Sequence, residues 1–488
     1  MTATPGAPGC RLSPMRKLVP ALLLAALLAA AAPAQGASRL TITGAGFGHG
    51  IGMSQYGAYG YAKEGFGYRD ILRRYYTETQ LATLSPVPDV RVLLKTGTSA
   101  ATFSGATLAG TRNLQAEKTY SVVSAGDGQV TLRSPTGRSL ATFAAPLRIA
   151  GPSRSAPLAL RDLGSYRGAL ELYPSSSGGL DVINALGLED YVRGVISAES
   201  PSSWPAEALK AQAVAARTYA VTSNAGGKGG RFTQFADTRS QVYRGVSAEF
   251  ATTDAAVAGT RHQVVTHAGR PVTTFFFSTS GGRTENNENS FIGALPQPWL
   301  RSVKDPFDTS SPKHRWGPYR LSRAEVERKL SGYVRGSFKS INVVKRGVSP
   351  RIVKAEIIGS RGKTVVDGPL LRARFDLFDT WAYFTVVGST ARRHAPGETT
   401  RAASPRTGGA QPDARAAAVR SVHSILGSVR PAPRGAWLKI QTRARDGRWV
   451  TAQWTLIGRD GRYRSTLTRR GVYRAVFRGA VGPTVRIG

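Results

Sequence analysis

Cysteine is almost absent from this sequence, and its single occurrence, Cys10, precedes the first long apolar run. That run, Leu18 to Ala32, follows two basic residues and ends at the small-residue sequence Ala32-Pro33-Ala34. This pattern is typical of a secretory signal peptide and its cleavage site. We therefore predict a signal peptide over residues 1–34, an exported protein of the cell wall or extracellular space, and a mature chain without disulfides or cysteine-bound metal.

A second long apolar run is also lacking after the first one. Leu18 to Ala32 is short for a transmembrane helix, although a retained anchor is the alternative interpretation. We expect no stable membrane anchor once the signal peptide has been removed.

Acidic residues are scarce: 30 Asp and Glu stand against 66 Lys and Arg, for a formal net charge of +36. Such an excess predicts a polyanionic partner. Zinc-finger, RRM and helix-turn-helix patterns are missing, so we do not expect nucleic acid. For an exported protein, anionic wall polymers such as teichoic acid are the natural partner. The alternative is that the charge only keeps the surface soluble.

The 488 residues leave room for several cores. Short strand-like runs dominate from Val90 to Asn184, while two helical patterns follow them, so the sequence predicts an α+β fold with a β-rich main domain over 35–387. Residues 388–434 are rich in Ala, Pro, Gly, Arg and Thr and are predicted to form a linker. Residues 435–488 alternate strand-like runs with Asp-Gly turns, which indicates a small C-terminal all-β domain.

Aromatic residues of the predicted C-terminal domain have two interpretations. They form either a sugar-stacking platform or ordinary core, and core is the commoner outcome at this spacing. The residues are Trp437, Trp449, Trp454 and Tyr473.

The two helical patterns, Leu188 to Ser197 and Trp204 to about Ser223, are joined by a short break that contains Glu199. The second pattern is rich in alanine, which predicts close contact with its neighbours and burial. Charged and amide side chains on such a helix are expected to face a cleft or a carboxylate, although ordinary ion pairs on a partly solvated helix are the alternative. Those side chains are Lys210, Gln212 and Arg217.

The run from Glu189 to Tyr219 resembles the signature of the SpoIID/LytB family. Four other segments resemble the same family, so that the resemblance covers roughly residues 40 to 386. They are Gly48-His49-Gly50-Ile51-Gly52-Met53-Ser54-Gln55-Tyr56-Gly57-Ala58, Asp237 to Gly245, Phe277 to Glu285 and Leu300 to Asp305.

The resemblance implies a lytic transglycosylase that cuts peptidoglycan glycan strands, with a preference for strands without stem peptides. The alternative that it implies is a non-catalytic wall protein that enhances an N-acetylmuramoyl-L-alanine amidase. The catalytic glutamate of the family corresponds to Glu199, and its nearby polar residues correspond to Lys210, Gln212 and Arg217. A third class, a cationic polyanion-binding protein, is favoured by the charge alone.

Two departures from the family pattern are visible. The Gly-His-Gly motif comes first in this chain, which predicts a circularly permuted arrangement, and Ser200 stands where the family usually has Met. Some relatives have a cysteine-bound zinc, whose ligands are lacking here. We therefore expect no metal and no cofactor.

The implied reaction needs one carboxyl group. In a lytic transglycosylase the sugar's own C6 hydroxyl attacks C1, so one glutamate acts first as acid and then as base, and Glu199 should have a raised pKa. A serine hydrolase is not expected, because a Gly-x-Ser-x-Gly elbow is missing. Polar side chains of the other motifs are predicted to bind sugar hydroxyls, although His49 has a packing role as its alternative. These candidates are Gln241, Tyr243, Ser278, Ser280 and His49.

Overall fold

The computed structural model describes residues 39–393, 423–433 and 435–487. The predicted signal peptide, Cys10 and the middle of the predicted linker lie outside these ranges. The described chain contains eight helices and many more strands, so the predicted α+β fold with a high β content is confirmed. None of the described helices is long and apolar enough to cross a membrane.

The helices of the described residues are mostly short. They are α1 Gln55–Lys63, α2 Tyr68–Tyr75, α3 Leu188–Glu199, α4 Ala206–Thr222, α5 Ala251–Gly259, α6 Asn287–Ser290, α7 Arg323–Lys329 and α8 Gly368–Phe375.

The strands are distributed along the whole described chain. They are β1 Arg39–Ala45, β2 Met53–Ser54, β3 Gln80–Thr83, β4 Asp89–Thr98, β5 Ala101–Ser104, β6 Leu108–Ala109, β7 Arg112–Asn113, β8 Tyr120–Gly126, β9 Gln129–Arg133, β10 Ser139–Ala144, β11 Leu147–Ala150, β12 Leu158–Leu160, β13 Gly164–Tyr166, β14 Ala169–Pro174, β15 Leu180–Gly187, β16 Gln234–Phe235, β17 Gln263–His267, β18 Arg270–Pro271, β19 Phe276–Phe277, β20 Arg315–Leu321, β21 Phe338–Arg346, β22 Ile352–Gly359, β23 Gly362–Asp367, β24 Ala382–Arg393, β25 His423–Arg430, β26 Trp437–Arg443, β27 Trp449–Leu456, β28 Arg462–Leu467, β29 Gly471–Phe477, β30 Ala480–Val481 and β31 Val485–Ile487.

The largest core lies between two sheets and the helical pair α3 and α4. One sheet has the order β16-β4-β15-β14-β11-β6-β7 and the other has the order β10-β9-β8-β5-β12-β13. Strand residues such as Val92 and Leu170 share this core with Val195 of α3 and Ala213 of α4. The helical pair is therefore fixed against a rigid β scaffold.

A second core attaches the N-terminal motif to the other face of α4. Ile51 and Met53 of the Gly-rich segment are buried together with Ala211 and Ala215 of α4. Strand β2 pairs in parallel with β19, so the N-terminal motif lies beside the segment that begins at Phe277. The two motifs are adjacent in space despite more than 200 residues between them. The circular permutation itself stays a prediction.

Two further cores share one long strand. The sheet β20-β1-β24-β25-β28 contains β24, whose Val386 belongs to a core with α7 and α8 and whose Val387 belongs to the core of the C-terminal strands. Successive side chains of a strand point to opposite faces, so a single strand serves both cores. The ends of the predicted linker 388–434 are therefore strand, in β24 and β25, and the predicted division into domains otherwise stays a prediction.

Candidate active site

The corner between α3 and α4 carries Glu199. Helix α3 ends at this residue because Pro201 follows two positions later, and Ser200, the residue before the proline, avoids helical geometry. Ser200 accordingly has extended dihedrals, with φ −139° and ψ 135°. The chain then turns, with the Trp204 N–H donating to the Pro201 carbonyl at 3.0 Å, and α4 begins at Ala206. The predicted position of Glu199 at a helix-to-helix corner is confirmed.

The carboxyl group of Glu199 is largely buried and accepts a hydrogen bond from one backbone N–H group. The Val242 N–H donates to its Oε1 at 2.7 Å, while Gln55 Nε2 donates to its backbone carbonyl at 3.0 Å. Burial raises the pKa of Glu199, and the Val242 and Gln55 donors oppose that rise. No Lys, Arg, Asp or Glu of the described residues contributes to the shift. Burial, rather than a neighbouring charge, is therefore the cause of the raised pKa.

Three sequence motifs meet at Glu199. They are the helical run that carries it, the Gly-rich N-terminal motif and the segment Asp237 to Gly245. Gln55 is the first residue of α1, whose N-cap Ser54 accepts the Gly57 N–H at 3.1 Å. Gly52 precedes it with φ +73°, and a Cβ there would lie 2.1 Å from the Phe275 carbonyl. Because Gly52 has no Cβ, the Gly-rich motif packs closely against the segment that contains Phe275.

The third motif, Asp237 to Gly245, contains Val242, whose N–H donates to Glu199. Its neighbour Gln241 donates through Nε2 to the Ala216 carbonyl of α4 at 3.1 Å. On the other side, the Tyr243 hydroxyl donates to Asn184 Oδ1 at 2.7 Å and its ring stacks on Tyr191. These two anchors aim the N–H between them at Glu199.

Three half-exposed aromatic side chains border the same corner. Trp204 lies 5.1 Å from Tyr56 and 5.0 Å from Tyr59, measured between ring centroids. Tyr56 directly follows Gln55, which contacts Glu199, and Trp204 lies in the turn that follows Glu199. Tyr and Trp combine an apolar face with a polar edge, which suits them to a partly wet binding surface. We name this group, Tyr56, Tyr59 and Trp204, the aromatic cluster.

Several buried polar groups near the corner make no hydrogen bond within the described residues. They include the Tyr191 hydroxyl, Ser200 Oγ, both amide atoms of Gln212, and Gln241 Oε1. The Tyr191 hydroxyl is close enough to Glu199 for that carboxylate to raise its pKa, after the larger effects of burial and of Tyr219. An unpaired buried polar group costs about 1 to 3 kcal/mol. Such groups mark a site organised for something other than stability.

Two of the predicted binding residues have structural partners instead. Arg217 is fully buried and forms a two-pronged ion pair with Glu189, with distances of 2.8 and 2.7 Å. Lys210 pairs with Glu207 at 2.7 Å on the outer side of α4. Arg217 does face a carboxylate, as expected, but one at the opposite end of α3 from Glu199.

The remaining predicted binding residues divide into two groups. Gln212 is buried within α4, and Gln241 donates through Nε2 to the Ala216 carbonyl of the same helix. Ser278 is half-buried and its carbonyl accepts the Tyr56 N–H at 3.0 Å. Tyr243 and Ser280 are buried, and Ser280 Oγ donates to Asp308 at 3.0 Å. Gln212 and Gln241 are equally buried, so Ser278 is the one partly exposed side chain of these five.

His49 lies in a different pocket. Its Nδ1 accepts the Ile51 N–H at 3.0 Å, and its ring centroid lies 5.3 Å from that of Phe291. Burial, reinforced by Arg372 and Arg351, lowers the pKa of His49 to about 3, so the imidazole is neutral. The adjoining pocket has a volume of about 540 Å³ and contains Arg372 as well. These contacts agree with the packing alternative for this loop.

Sequence reasoning missed Gln55, Val242, Tyr56 and Tyr59 as parts of the site. Gln55 and Tyr56 stand inside the Gly-rich motif, so the signal was present, but only His49 was selected from it. Val242 acts through its backbone, which no side-chain pattern reveals. Among the described residues, no group of three or more His, Cys, Asp or Glu side chains is arranged to hold a metal ion.

Comparison with known proteins agrees with the resemblance read from the motifs. Residues 176–267 match the family model of the stage II sporulation protein, SpoIID. This segment contains α3, α4 and Glu199, so the chain carries a SpoIID segment and the resemblance to that family is confirmed.

Individual relatives match over longer segments. Stage II sporulation protein D of Bacillus subtilis is 39% identical over 166 residues, which are 31% of this chain and 47% of the relative. The protein of the same name from Bacillus amyloliquefaciens is 35% identical over 191 residues, which are 36% and 55% of the two chains. The amidase enhancer of Bacillus subtilis is 36% identical over 139 residues, 28% and 18% of the two chains. The chain thus spans about half the length of the first two relatives.

Proposed function

We propose that this protein acts in the cell wall as a peptidoglycan lytic transglycosylase, with Glu199 as its acid and base. The observation that carries the proposal is the isolated, largely buried carboxyl group at the α3–α4 corner, whose pKa is raised by burial. A raised pKa favours the protonated form of the carboxyl group, which is the form that a general acid uses. The SpoIID match around Glu199 supports a role related to the cell wall.

The reaction proposed for this site needs no second carboxylate. Glu199 protonates the oxygen of the glycosidic bond, and the bond from that oxygen to C1 of the muramic acid residue breaks. The C6 hydroxyl of the same sugar then bonds to C1 and releases its proton to the Glu199 carboxylate. The products are a free hydroxyl end and a 1,6-anhydro end, and no water is consumed.

The surroundings of Glu199 support both halves of this cycle. The Val242 N–H hydrogen bond stabilises the carboxylate that forms after proton release. The aromatic cluster offers a half-exposed apolar surface on which sugar rings bind. The substrate assigned here is therefore the glycan strand itself.

Digestion of purified glycan strands tests the proposal. Strands with and without stem peptides are incubated with the mature protein, and product ends are analysed by mass. We expect ends one water lighter than hydrolytic ends, with faster release from the peptide-free strands. Products of hydrolytic mass would contradict the transglycosylase reaction.

A second candidate function follows from the amidase enhancer among the relatives. In that case the corner binds glycan without cutting it, and a wall N-acetylmuramoyl-L-alanine amidase is the partner. The two functions are separated by adding such an amidase. If wild-type and Glu199→Gln proteins cut no strand and stimulate the amidase equally, the enhancer function replaces the transglycosylase.

A further inference from the structure

A basic groove crosses the sheet face formed by β24, β25 and β28, far along the chain from the α3–α4 corner. It encloses about 960 Å³. Directly paired residues of neighbouring strands share one face of a sheet. The register pairs Gly388 with Ser428 and Ser428 with Arg462, and it pairs Leu426 with Arg464. The floor of the groove is therefore made of small side chains, with arginine side chains at its edge.

Four arginines line the groove without an acidic lining residue: Arg323, Arg430, Arg462 and Arg464. All four are exposed. Within the described ranges, one of the four arginines has an ion pair, between Arg462 Nε and Asp460 Oδ2 at 3.6 Å. Among those residues most of this positive charge is therefore uncompensated, and a guanidinium group binds phosphate through two parallel hydrogen bonds.

The groove has a fixed shape. The Tyr463 hydroxyl lies under its floor, 2.9 Å from the Gly388 carbonyl and 2.8 Å from Ser389 Oγ. Gly427 allows this close approach, because a Cβ at that position would lie 2.0 Å from the Gly388 carbonyl. Three strands are thus held together below the arginines, and the positive groups are presented on a rigid surface.

An exposed apolar surface continues from one edge of the groove. Leu456 lines the groove, and it pairs across the strands with Trp437, while Trp454 lies two residues away on the same face. Trp437 and Trp454 are 58% and 53% exposed, so they are not core residues. The face therefore combines phosphate-binding groups with flat rings suited to polyol or sugar units.

We propose that this groove binds an anionic wall polymer whose phosphodiester groups alternate with polyol or sugar units. Charge complementarity to the four arginines selects the phosphodiester groups, and the neighbouring tryptophans contact the units between them. The choice of the wall as the source of this polymer rests on the proposed function. The binding site itself is separate from Glu199 and does not depend on strand cleavage.

Binding of a labelled glycerol phosphate polymer tests the groove directly. The variant carries Arg430→Ala, Arg462→Ala and Arg464→Ala, and its matched control carries Arg443→Ala, Arg445→Ala and Arg470→Ala. The control loses the same charge from exposed arginines outside the groove. We expect the groove variant to bind the polymer at least about tenfold more weakly. The slope of log affinity against log salt concentration should become less negative by about two. The control should change by less than about twofold.

A charge-neutral variant separates the groove from general surface charge. Ser428→Phe fills the floor while leaving all arginines in place, and it should weaken polymer binding by a similar factor. Equal losses in both arginine variants would overturn the proposal, because they would indicate diffuse attraction. Tighter binding of single-stranded DNA of equal length through the same arginines would also overturn it. Glycan cleavage, measured in parallel on strands free of anionic polymer, should be unchanged in every variant.

Discussion

Helix α3 carries one glutamate near each end, and the two have opposite surroundings. Glu189 lies in the first turn and forms a two-pronged ion pair with the fully buried Arg217. Glu199 is the last residue and has no cationic partner among the described residues. The helix dipole favours negative charge at the first position and disfavours it at the second. The same residue type therefore stabilises the fold at one end and, in the proposed function, transfers a proton at the other.

The largest expected effect comes from Glu199→Gln. Glutamine keeps the size of the side chain but cannot transfer a proton, so the rate of strand cleavage should fall by about 10² to 10⁴ or more. Stability should not fall at neutral pH. The pKa of Glu199 is higher in the folded chain than in the unfolded chain. Ionisation of Glu199 therefore opposes folding as pH rises, and glutamine removes that cost. Product mass and urea unfolding measure the two effects.

Glu207→Gln is the matched control for that variant. Glu207 is a half-buried carboxyl group on the next helix, paired with Lys210. It should cut strands at close to the wild-type rate. Release of 1,6-anhydro ends by Glu199→Gln at an undiminished rate would refute the mechanism.

Breaking the pair at the other end of α3 should affect stability instead. Arg217→Met leaves Glu189 without its partner, and removal of one member of a buried ion pair costs about 3 to 5 kcal/mol. Cleavage per folded molecule should stay near wild type, as measured by activity against the folded fraction at each urea concentration. A stable but inactive Arg217→Met protein would instead support the direct substrate contact that the family resemblance implies.

Removal of one ring of the aromatic cluster should weaken substrate binding more than chemistry. Trp204→Ala takes away a contact surface of the corner, and we expect KM to rise by about tenfold or less, with a smaller change in kcat. Trp437→Ala, which removes an exposed tryptophan of the C-terminal strands, is the control on soluble glycan. An unchanged KM in Trp204→Ala would remove the cluster from the substrate site.

The smallest expected effect is a shift in pH dependence. The Gln55 amide opposes the raised pKa of Glu199, so Gln55→Leu should raise that pKa further. The acid form of Glu199 then persists to higher pH, so the cleavage rate begins to fall at a higher pH. Gln80→Leu, at an exposed position of β3, should leave that pH unchanged. A downward movement in Gln55→Leu would contradict the assigned direction.

The corner was predictable from sequence because its determinants are local. The apolar spacing of α3, the break at Pro201 and the alanines of α4 are all visible in one short segment. Glu199 was also identified by resemblance. The predicted start of the second helix was two residues early, since α4 begins at Ala206 and not at Trp204.

Partners from distant segments were not predictable in the same way. The sequence indicated that Arg217 needs a carboxylate but did not identify Glu189, because burial and pairing are set by the fold. Gln55 reaches Glu199 across 144 residues. Part of the predicted linker is strand β25 instead, because Ile425 and Val429 complete the C-terminal core. Tertiary contacts thus override local preference there.

The shared strand β24 has a consequence for any shortened form of this protein. Its neighbours are β1 on one side and β25 on the other, and β25 in turn pairs with β28. A chain that stopped before β25 would expose the hydrogen-bonding edge of β24 together with Val387. Open strand edges with apolar residues are templates for intermolecular pairing. The C-terminal strands therefore protect the remainder of the molecule from aggregation, whatever ligand they carry.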